Sequence, residues 1–172
     1  MVNQTENSLA GAVLRLALYE PDIPQNAGTL FRLGACLGIP VDLIEPAGFD
    51  VSDRNLRRAG MDYLASVEIR RHRSFPDFDR WRRENGHRLV LATTKSSENY
   101  LDFMFLPGDI LMLGRESAGV PEAVHAACDH RITIPLRAGM RSLNIAIAGG
   151  IILAEGLRQL DAFPPLRPMP AS

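Results

Sequence analysis

The stretch of sequence that decides the fold is ILMLGRESAGVP, residues 110–121. The apolar run Ile110 to Leu113 has the length and composition of a buried strand, and Pro121 opens a predicted helix. A strand followed by a glycine turn and a helix start is the usual setting of a phosphate-binding loop. Here Glu116 occupies the third position of the G-x-G-x-x-G pattern, where its carboxylate would repel a pyrophosphate. The loop is therefore predicted to bind a ligand other than a dinucleotide.

The chain on either side of this stretch alternates between short apolar runs and helical patterns. The apolar runs predict strands over residues 13–19, 40–44, 65–69, 88–92, 110–113 and 131–134. The helical patterns predict a first helix that is capped by Asn26 and ends at Leu37, and further helices over 55–59, 75–84, 121–127 and 144–160. Strands that alternate with helices indicate an α/β fold with a mostly parallel sheet, flanked by helices on both faces.

Composition limits the class of protein. The chain has 172 residues, of which 46% are hydrophobic, and a formal net charge of −1, which is typical of one globular domain. We expect a single domain over 13–162, a flexible tail over 1–12 and a proline-rich tail over 163–172. The two cysteines are far apart and the four histidines are not clustered, which predicts no metal site and a reducing, cytoplasmic location. The sequence predicts neither a secretion signal nor a membrane-spanning segment.

Ligands of parallel sheets bind beyond the carboxyl ends of the strands. In the predicted fold, the loops at that edge are 20–27, 93–97, 114–121 and 135–144. A dinucleotide site lacks its glycine fingerprint here, and a Walker-type loop is absent because Lys95, the only lysine, follows no glycine loop. A ligand with a positive centre and no phosphate, such as S-adenosylmethionine, suits Glu116 better.

Positive charge is concentrated between residues 54 and 88, where ten arginines stand against five acidic residues. Such a segment is either a set of solvated helix faces or a surface that binds nucleic acid. Charge alone does not separate these two interpretations.

Three motifs, spaced over about 120 residues, carry a family resemblance. The first is NAGTLFR (26–32), preceded by YEPDIP, the second is LGRESAGVP (113–121), and the third is IPL (134–136) followed by SLNIA (142–146). Together with LRRAGMDY (56–63), they resemble the SpoU/TrmH branch of the SPOUT RNA methyltransferases, and within it the small TrmL group. The resemblance covers about residues 14–160.

The resemblance implies a fold feature that hydrophobic periodicity does not predict. In this family the C-terminal segment passes through a loop and forms a deep trefoil knot, which builds the cofactor pocket; knots are otherwise essentially absent from proteins. The resemblance also implies a homodimer with the N-terminal and C-terminal helices in the interface. The segment 143–153 is apolar around nearly its whole circumference, which independently indicates burial on more than one side. A core helix of a monomer is the alternative.

By resemblance, the activity is transfer of a methyl group from S-adenosylmethionine to the ribose 2′-hydroxyl of the wobble nucleotide, a cytidine or uridine, of leucine tRNAs. The implied cofactor-binding positions are Ala92, Leu113, Gly114, Gly119, Ile134, Leu136, Ser142 and Leu143. Methylation at another tRNA or rRNA site, a non-catalytic RNA-binding module and a nucleotide-dependent oxidoreductase are the alternatives, and the missing glycine fingerprint argues against the last.

The resemblance assigns the catalytic positions to Arg32, Asn26, Glu116, Ser142 and Asn144. Arginine stays protonated in proteins, so we expect Arg32 to bind the RNA phosphate beside the target, and that phosphate to take or relay the hydroxyl proton. We expect Glu116 either to fix the loop of Asn26 together with Arg32, or to neutralise Arg115 or Arg141. Ser142 and Asn144 are also suited to capping the last helix.

Many members of this branch carry an added RNA-binding domain, for which a chain of this length has no room. We therefore expect the core surface to bind the anticodon region of tRNA. The candidate RNA-binding residues are Arg57, Arg58, Arg71 and Lys95.

Overall fold

The computed structural model describes residues 13–51 and 64–166. Several predicted features lie outside the described residues. They are the tail 1–12, the basic helix 55–59 with Arg57 and Arg58, the motif 56–63, and the end of the C-terminal tail, 167–172.

A six-stranded sheet forms the centre of the described chain, and its strands pair in parallel. The strands are β1 (Leu14–Tyr19), β2 (Val41–Ile44), β3 (Ile69–His72), β4 (Leu89–Ala92), β5 (Asp109–Leu113) and β6 (His130–Ile132). Their order across the sheet is β3-β2-β1-β5-β4-β6. The predicted α/β class with a parallel sheet is confirmed, and all carboxyl ends lie at one edge because every pair is parallel.

Helices cover both faces of the sheet, as predicted. They are α1 (Pro24–Leu37), α2 (Phe75–Glu84), α3 (Glu122–Ala127) and α4 (Ile145–Gln159). One buried cluster joins α1 and α4 to the sheet through Phe31 and Leu153. The opposite cluster joins α2 and α3 to the sheet through Phe78 and Val124. Among the helices of the described ranges, none combines the length and hydropathy that crossing a bilayer requires.

The prediction of a third strand over 65–69 was wrong. Residues Leu64–Ser66 form a 3-10 turn, and β3 covers Ile69–His72. Two polar side chains of β3 make contacts with other elements of the fold. His72 Nε2 lies 2.8 Å from Asp42 Oδ1 in β2, and the Arg70 guanidinium lies 4.6 Å from the centre of the Trp81 ring. The remaining predicted strands and helices in the described ranges agree with the structure to within two residues.

The prediction that Asn26 caps the first helix was also wrong. The helix begins at Pro24, with Ile23 in the N-cap position. Proline favours the start of a helix because its φ is already helical and it has no N–H to leave unpaired. Asn26 consequently lies inside the first turn, where its side chain is available for contacts across the carboxyl edge. Gly38 ends the helix with φ 69°, as predicted from its lack of a Cβ.

Much of the basic segment is neutralised by ion pairs in its described part. Arg82 is only 2% exposed and donates to the carboxylates of Asp79 and Asp129 and to the carbonyls of His87 and Ala127. The positive charge of Arg82 is therefore paired inside the protein. Four further arginines of the segment pair with acids: Arg71 with Glu45, Arg80 with Asp77, Arg83 with Asp79, and Arg88 with Asp109. The charge count of 54–88 overstates the free positive surface.

We predict opposite effects of alanine at two helical glycines. A Cβ on Gly34 would lie 2.7 Å from the carbonyl oxygen of Ile39, and a backbone atom moves only at a cost. Gly34→Ala should lower the free energy of unfolding by about 1–3 kcal/mol. A Cβ on Gly150 would contact only Leu33 Cδ2, at 3.9 Å. Gly150→Ala should therefore raise the free energy of unfolding by about 0.5–1 kcal/mol. Urea denaturation at one protein concentration measures both. A Gly34→Ala variant as stable as the parent protein would contradict the packing described for α1.

Candidate functional site

A cavity of about 680 Å³ opens at the carboxyl edge of the sheet. Its volume is in the usual range of small-molecule sites. All four loops predicted for this edge contribute to its walls, through Ile23 and Asn26, Thr93 to Lys95, Gly114 to Val120, and Leu136 with Arg141 to Asn144. These segments are far apart in sequence and meet because the strands before them are parallel.

The predicted cofactor-binding residues all line this cavity: Ala92, Leu113, Gly114, Gly119, Ile134, Leu136, Ser142 and Leu143. So do the predicted catalytic residues Asn26, Glu116, Ser142 and Asn144, and the predicted RNA-binding residue Lys95. Arg32 is not among the lining residues and is exposed on α1. Arg71 is likewise outside the lining, on β3, and pairs with Glu45.

Sequence reasoning missed several lining residues, among them Thr94, Arg115, His125 and Thr133. The rule that ligands bind beyond the carboxyl ends of strands indicates both threonines, because Thr94 lies two residues after β4 and Thr133 lies one residue after β6. His125 has no such signal, because it lies within α3 and resembles any polar helix residue. Only the packing of α3 below the 114–119 loop brings it to the cavity.

Two glycines shape the 114–119 loop. Arg115 and Gly119 exchange backbone hydrogen bonds of 2.9 and 2.7 Å, which close the loop into a tight turn. Gly119 has φ 67°, a conformation that glycine adopts without strain. A Cβ on Gly114 would lie 2.9 Å from the Gly119 carbonyl carbon. Both positions are therefore restricted to glycine by the turn itself.

The Glu116 carboxylate joins this loop to the loop after β1. Its Oε2 accepts a hydrogen bond of 3.0 Å from the backbone N–H of Asp22, and its Oε1 accepts one of 3.2 Å from Asn26 Nδ2. Of the two predicted roles, the structure shows the contact with the Asn26 loop. Arg115, one of the suggested charge partners, pairs with Glu20 instead.

Asn26 and Asn144 extend the network to the last helix. Asn144 Nδ2 donates to Asn26 Oδ1 at 2.9 Å. Asn144 Oδ1 accepts from the backbone N–H groups of Ala146 and Ile147 at 2.9 and 3.3 Å. Asn144 is thus the N-cap of α4, as suggested from the sequence, and its amide group also reaches across the cavity edge. One side chain fixes the start of α4 and the position of Asn26.

Polar groups around this network set the electrostatics of the cavity. Hydrogen bonds with the Glu116 side chain and from the Ser117 hydroxyl lower the pKa of Asp22 below its ordinary value. Among the described lining residues, Glu116 is the only acid. Arg131 Nε donates to His125 Nδ1 at 3.0 Å, so the neutral ring carries its proton on Nε2. That Nε2 is buried and has no hydrogen-bond partner within the described chain.

Within residues 13–51 and 64–166, no group of three or more His, Cys, Asp or Glu side chains is placed to bind a metal ion. The site combines apolar walls, hydroxyl groups, basic side chains and one amide–carboxylate network. It has the chemistry of a small-molecule site with fixed hydrogen bonds.

We predict that the contact between Asn26 and Glu116 shows up as coupling in a double-mutant cycle. Asn26→Asp preserves the size of the side chain but places a carboxylate against Glu116, so it should destabilise the protein by about 1–3 kcal/mol. Adding Glu116→Gln supplies an amide donor for the new Asp and should recover more than half of this loss. Thermal and urea unfolding of the four proteins measure the coupling. Strictly additive effects would show that the two side chains do not interact.

Comparison with known proteins places the chain in a family. The model of the SpoU rRNA Methylase family matches residues 13–154, which include all four loops of the cavity. A Beijerinckia indica subsp. indica protein named tRNA (cytidine(34)-2'-O)-methyltransferase is 62% identical over 86% of this chain and 92% of its own length.

Solved structures agree with this assignment. A structure described as "Structural insights into the 2-OH methylation of C/U34 on tRNA" is 41% identical and covers 86% of this chain and 96% of its own, with a TM-score of 0.79. The AdoMet-bound rRNA methyltransferase from Sinorhizobium meliloti is 29% identical and covers 87% of this chain and 57% of its own, with a TM-score of 0.78. The resemblance found in the three motifs is confirmed, and the chain belongs to the SpoU rRNA methylase family.

Proposed function

We propose that this protein transfers a methyl group from S-adenosylmethionine to the ribose 2′-hydroxyl of the wobble nucleotide of tRNA, a cytidine or uridine at position 34. Leucine tRNAs are the expected substrates. The observation that carries the proposal is the Glu116–Asn26–Asn144 network at the cavity of a chain that is 62% identical to a tRNA (cytidine(34)-2'-O)-methyltransferase.

The residues of the cavity fit S-adenosylmethionine. Leu113, Ile134 and Leu143 supply apolar surface for an adenine ring, and the buried Nε2–H of His125 is a donor that lacks a protein acceptor. We propose that main-chain groups near Gly114 and Ser142 hold the remaining polar groups of this cofactor. When bound, S-adenosylmethionine supplies an electrophilic methyl group on a sulfonium centre.

The side chains of the network act by positioning. Glu116 holds the loop after β1, and Asn144 holds both Asn26 and the start of α4. Fixed loops limit the orientations that the ribose adopts beside the cavity, and orientation supplies a large share of the rate of an in-line displacement. The 2′-hydroxyl oxygen becomes nucleophilic as it loses its proton.

We propose that Arg32 assists the loss of this proton without accepting it. It lies on the same helix as Asn26, so the Asn26 contacts also fix where Arg32 is presented. A guanidinium does not accept a proton at neutral pH. Arg32 therefore binds the phosphate next to the target ribose, and a phosphate oxygen accepts or relays the hydroxyl proton.

We also propose that the C-terminal segment is knotted, as in the SPOUT fold. The loop between β4 and β5 bonds to the segment after β6, through Tyr100 N to Thr133 O at 3.0 Å and Thr133 N to Glu98 O at 2.8 Å. The same loop bonds to the end of α4, where the Gln159 side chain contacts the Phe103 carbonyl and the Phe105 N–H, each at 3.0 Å. Contacts of one loop with both ends of the segment support the passage of that segment through the loop.

A homodimer is the assembly that we propose. Near the start of α4, Met140, Leu143 and Ile147 are 66%, 39% and 57% exposed in the isolated chain. Adjacent exposed apolar side chains of this size are typical of a surface that a partner covers. A second copy packing along α4 would bury them.

For tRNA binding, we propose a contribution from cations at the cavity mouth. Lys95, Arg137 and Arg141 are exposed in the loops after β4 and β6, and Lys95 and Arg141 line the cavity. Arg71 is a weaker candidate than its sequence suggests because it pairs with Glu45. Arg57 and Arg58 remain proposed contacts outside the described residues.

We predict that the protein methylates unmodified leucine tRNA with labelled S-adenosylmethionine, and that a 2′-deoxyribose at position 34 abolishes the transfer. Label retained on the deoxy substrate would indicate base methylation, and no label on any tRNA would favour the RNA-binding module. In the same assay, Arg32→Ala should lower the rate at saturating RNA and cofactor by about 100-fold or more. Arg80→Ala, which removes an exposed arginine of α2, is the matched control and should leave the rate unchanged.

We predict that Arg137→Ala weakens tRNA binding through lost phosphate contact. The slope of log K against log salt concentration is negative, and it should become less steep by about 0.7 for one lost contact with a single-stranded loop. Filter binding between low and physiological salt measures this slope, and Arg80→Ala again serves as the control. An unchanged slope would show that Arg137 does not contact an RNA phosphate.

A further inference from the structure

Glu20, the residue directly after β1, has an unusual backbone conformation. Its φ is 42°, in the left-handed region that few residues other than glycine adopt. Such a conformation is strained in a residue with a Cβ and persists only where the surroundings hold it. A turn that needed only this shape would be served better by glycine. We therefore infer that the Glu20 side chain makes a contact that glycine could not make.

The Glu20 side chain contacts Arg115 across the carboxyl edge of the sheet. Arg115 Nε donates to the Glu20 carbonyl oxygen at 3.2 Å, and Arg115 Nη2 donates to the Glu20 carboxylate. On the other side, the Glu20 N–H donates to the Ile44 carbonyl at 2.9 Å. The backbone of Arg115 is itself fixed by its two hydrogen bonds with Gly119. We call this double contact the Arg115–Glu20 clasp.

The clasp aligns two loops that meet again two residues later. The Asp22 N–H donates to Glu116, and the Ser117 hydroxyl donates to the Asp22 carboxylate. Thus three successive residues of the 114–119 loop hold residues 20 and 22. After these contacts, the chain turns into α1 and presents Asn26 to Glu116 and Asn144.

We propose that the Arg115–Glu20 clasp is a positioning device for methyl transfer. It uses a strained backbone at Glu20 to set the register of the two loops, and so determines where Asn26 and the first turn of α1 lie relative to the cavity. Arg115 also lines the cavity, and the clasp holds its guanidinium towards Glu20. The effect of the clasp on methyl transfer rests on the proposed function, whereas its effect on the alignment of the two loops does not.

The experiment compares Glu20→Gly, Arg115→Ala and Arg115→Lys with the parent protein. Glycine relieves the strain at position 20, which offsets the lost half-buried ion pair and the larger entropy of the unfolded chain. Glu20→Gly should therefore keep its Tm within a few degrees while kcat at saturating substrates falls by about ten- to a hundredfold. Arg115→Ala should lose both kcat and Tm, because the strain remains. Arg115→Lys, which keeps the charge without the fork geometry, should give an intermediate kcat.

These outcomes separate positioning from simple support of the fold. If the clasp only stabilised the protein, kcat measured well below the Tm of each variant would stay at the parent value in all three variants, however far Tm fell. Full activity of Glu20→Gly would overturn the proposal. Arg80→Ala breaks an exposed ion pair on α2 and should change neither kcat nor Tm appreciably.

A second readout needs no RNA. Amide hydrogen exchange at Asp22, whose N–H is held by Glu116, should accelerate at least about tenfold in Glu20→Gly and in Arg115→Ala. The amide of Leu16, which donates to Pro40 within the sheet, is the internal control. Unchanged exchange at Asp22 would overturn the clasp whatever the enzyme methylates. Faster exchange in a protein that transfers no methyl group to tRNA would leave the clasp intact and reject the proposed function.

Discussion

The two hydrogen bonds accepted by the Glu116 carboxylate are the contact on which the site depends. They join a loop after β5 to the loop after β1, in the middle of the sheet. Because Asn26 is held by Glu116, it meets Asn144, which starts α4. Without this contact, Asn26 would lose the bond that fixes its amide group between Glu116 and Asn144.

The protein uses most of its described arginines for internal structure. Arg82 ties α2 to the end of α3 and to the residues before β4 and β6 through three acceptors, Ala127, His87 and Asp129. Arg15 forms an ion pair with Asp42, which is completely buried, and His72 Nε2 lies within hydrogen-bond distance of its other carboxylate oxygen. A buried charge is tolerated only when it is paired and hydrogen-bonded. The free positive charge in the described part of segment 54–88 is for this reason smaller than its number of arginines suggests.

The sequence predicted the sheet well where apolar residues are continuous, as in β1 and β5, because burial on both faces leaves a direct pattern. It failed at β3, where Arg70 contacts Trp81 and His72 contacts Asp42, both from other elements. It also misplaced the start of α1, because Asn26 has the residue type of a cap but makes its contacts across the site. In both cases, partners distant in sequence overrode the local preference.

For the candidate site too, local sequence accounts for some features and tertiary contacts account for the others. The sequence by itself determined the family, the parallel sheet and the loops at its carboxyl edge, since these follow from local periodicity and from motifs with specific residue types. Only the tertiary structure decided that Glu116 holds Asn26 and Asp22, that Arg115 pairs with Glu20, and that Arg82 is buried. The physical reason is that hydrogen bonds and ion pairs require positions in space, and residues some ninety positions apart in sequence acquire those positions only through the packed sheet.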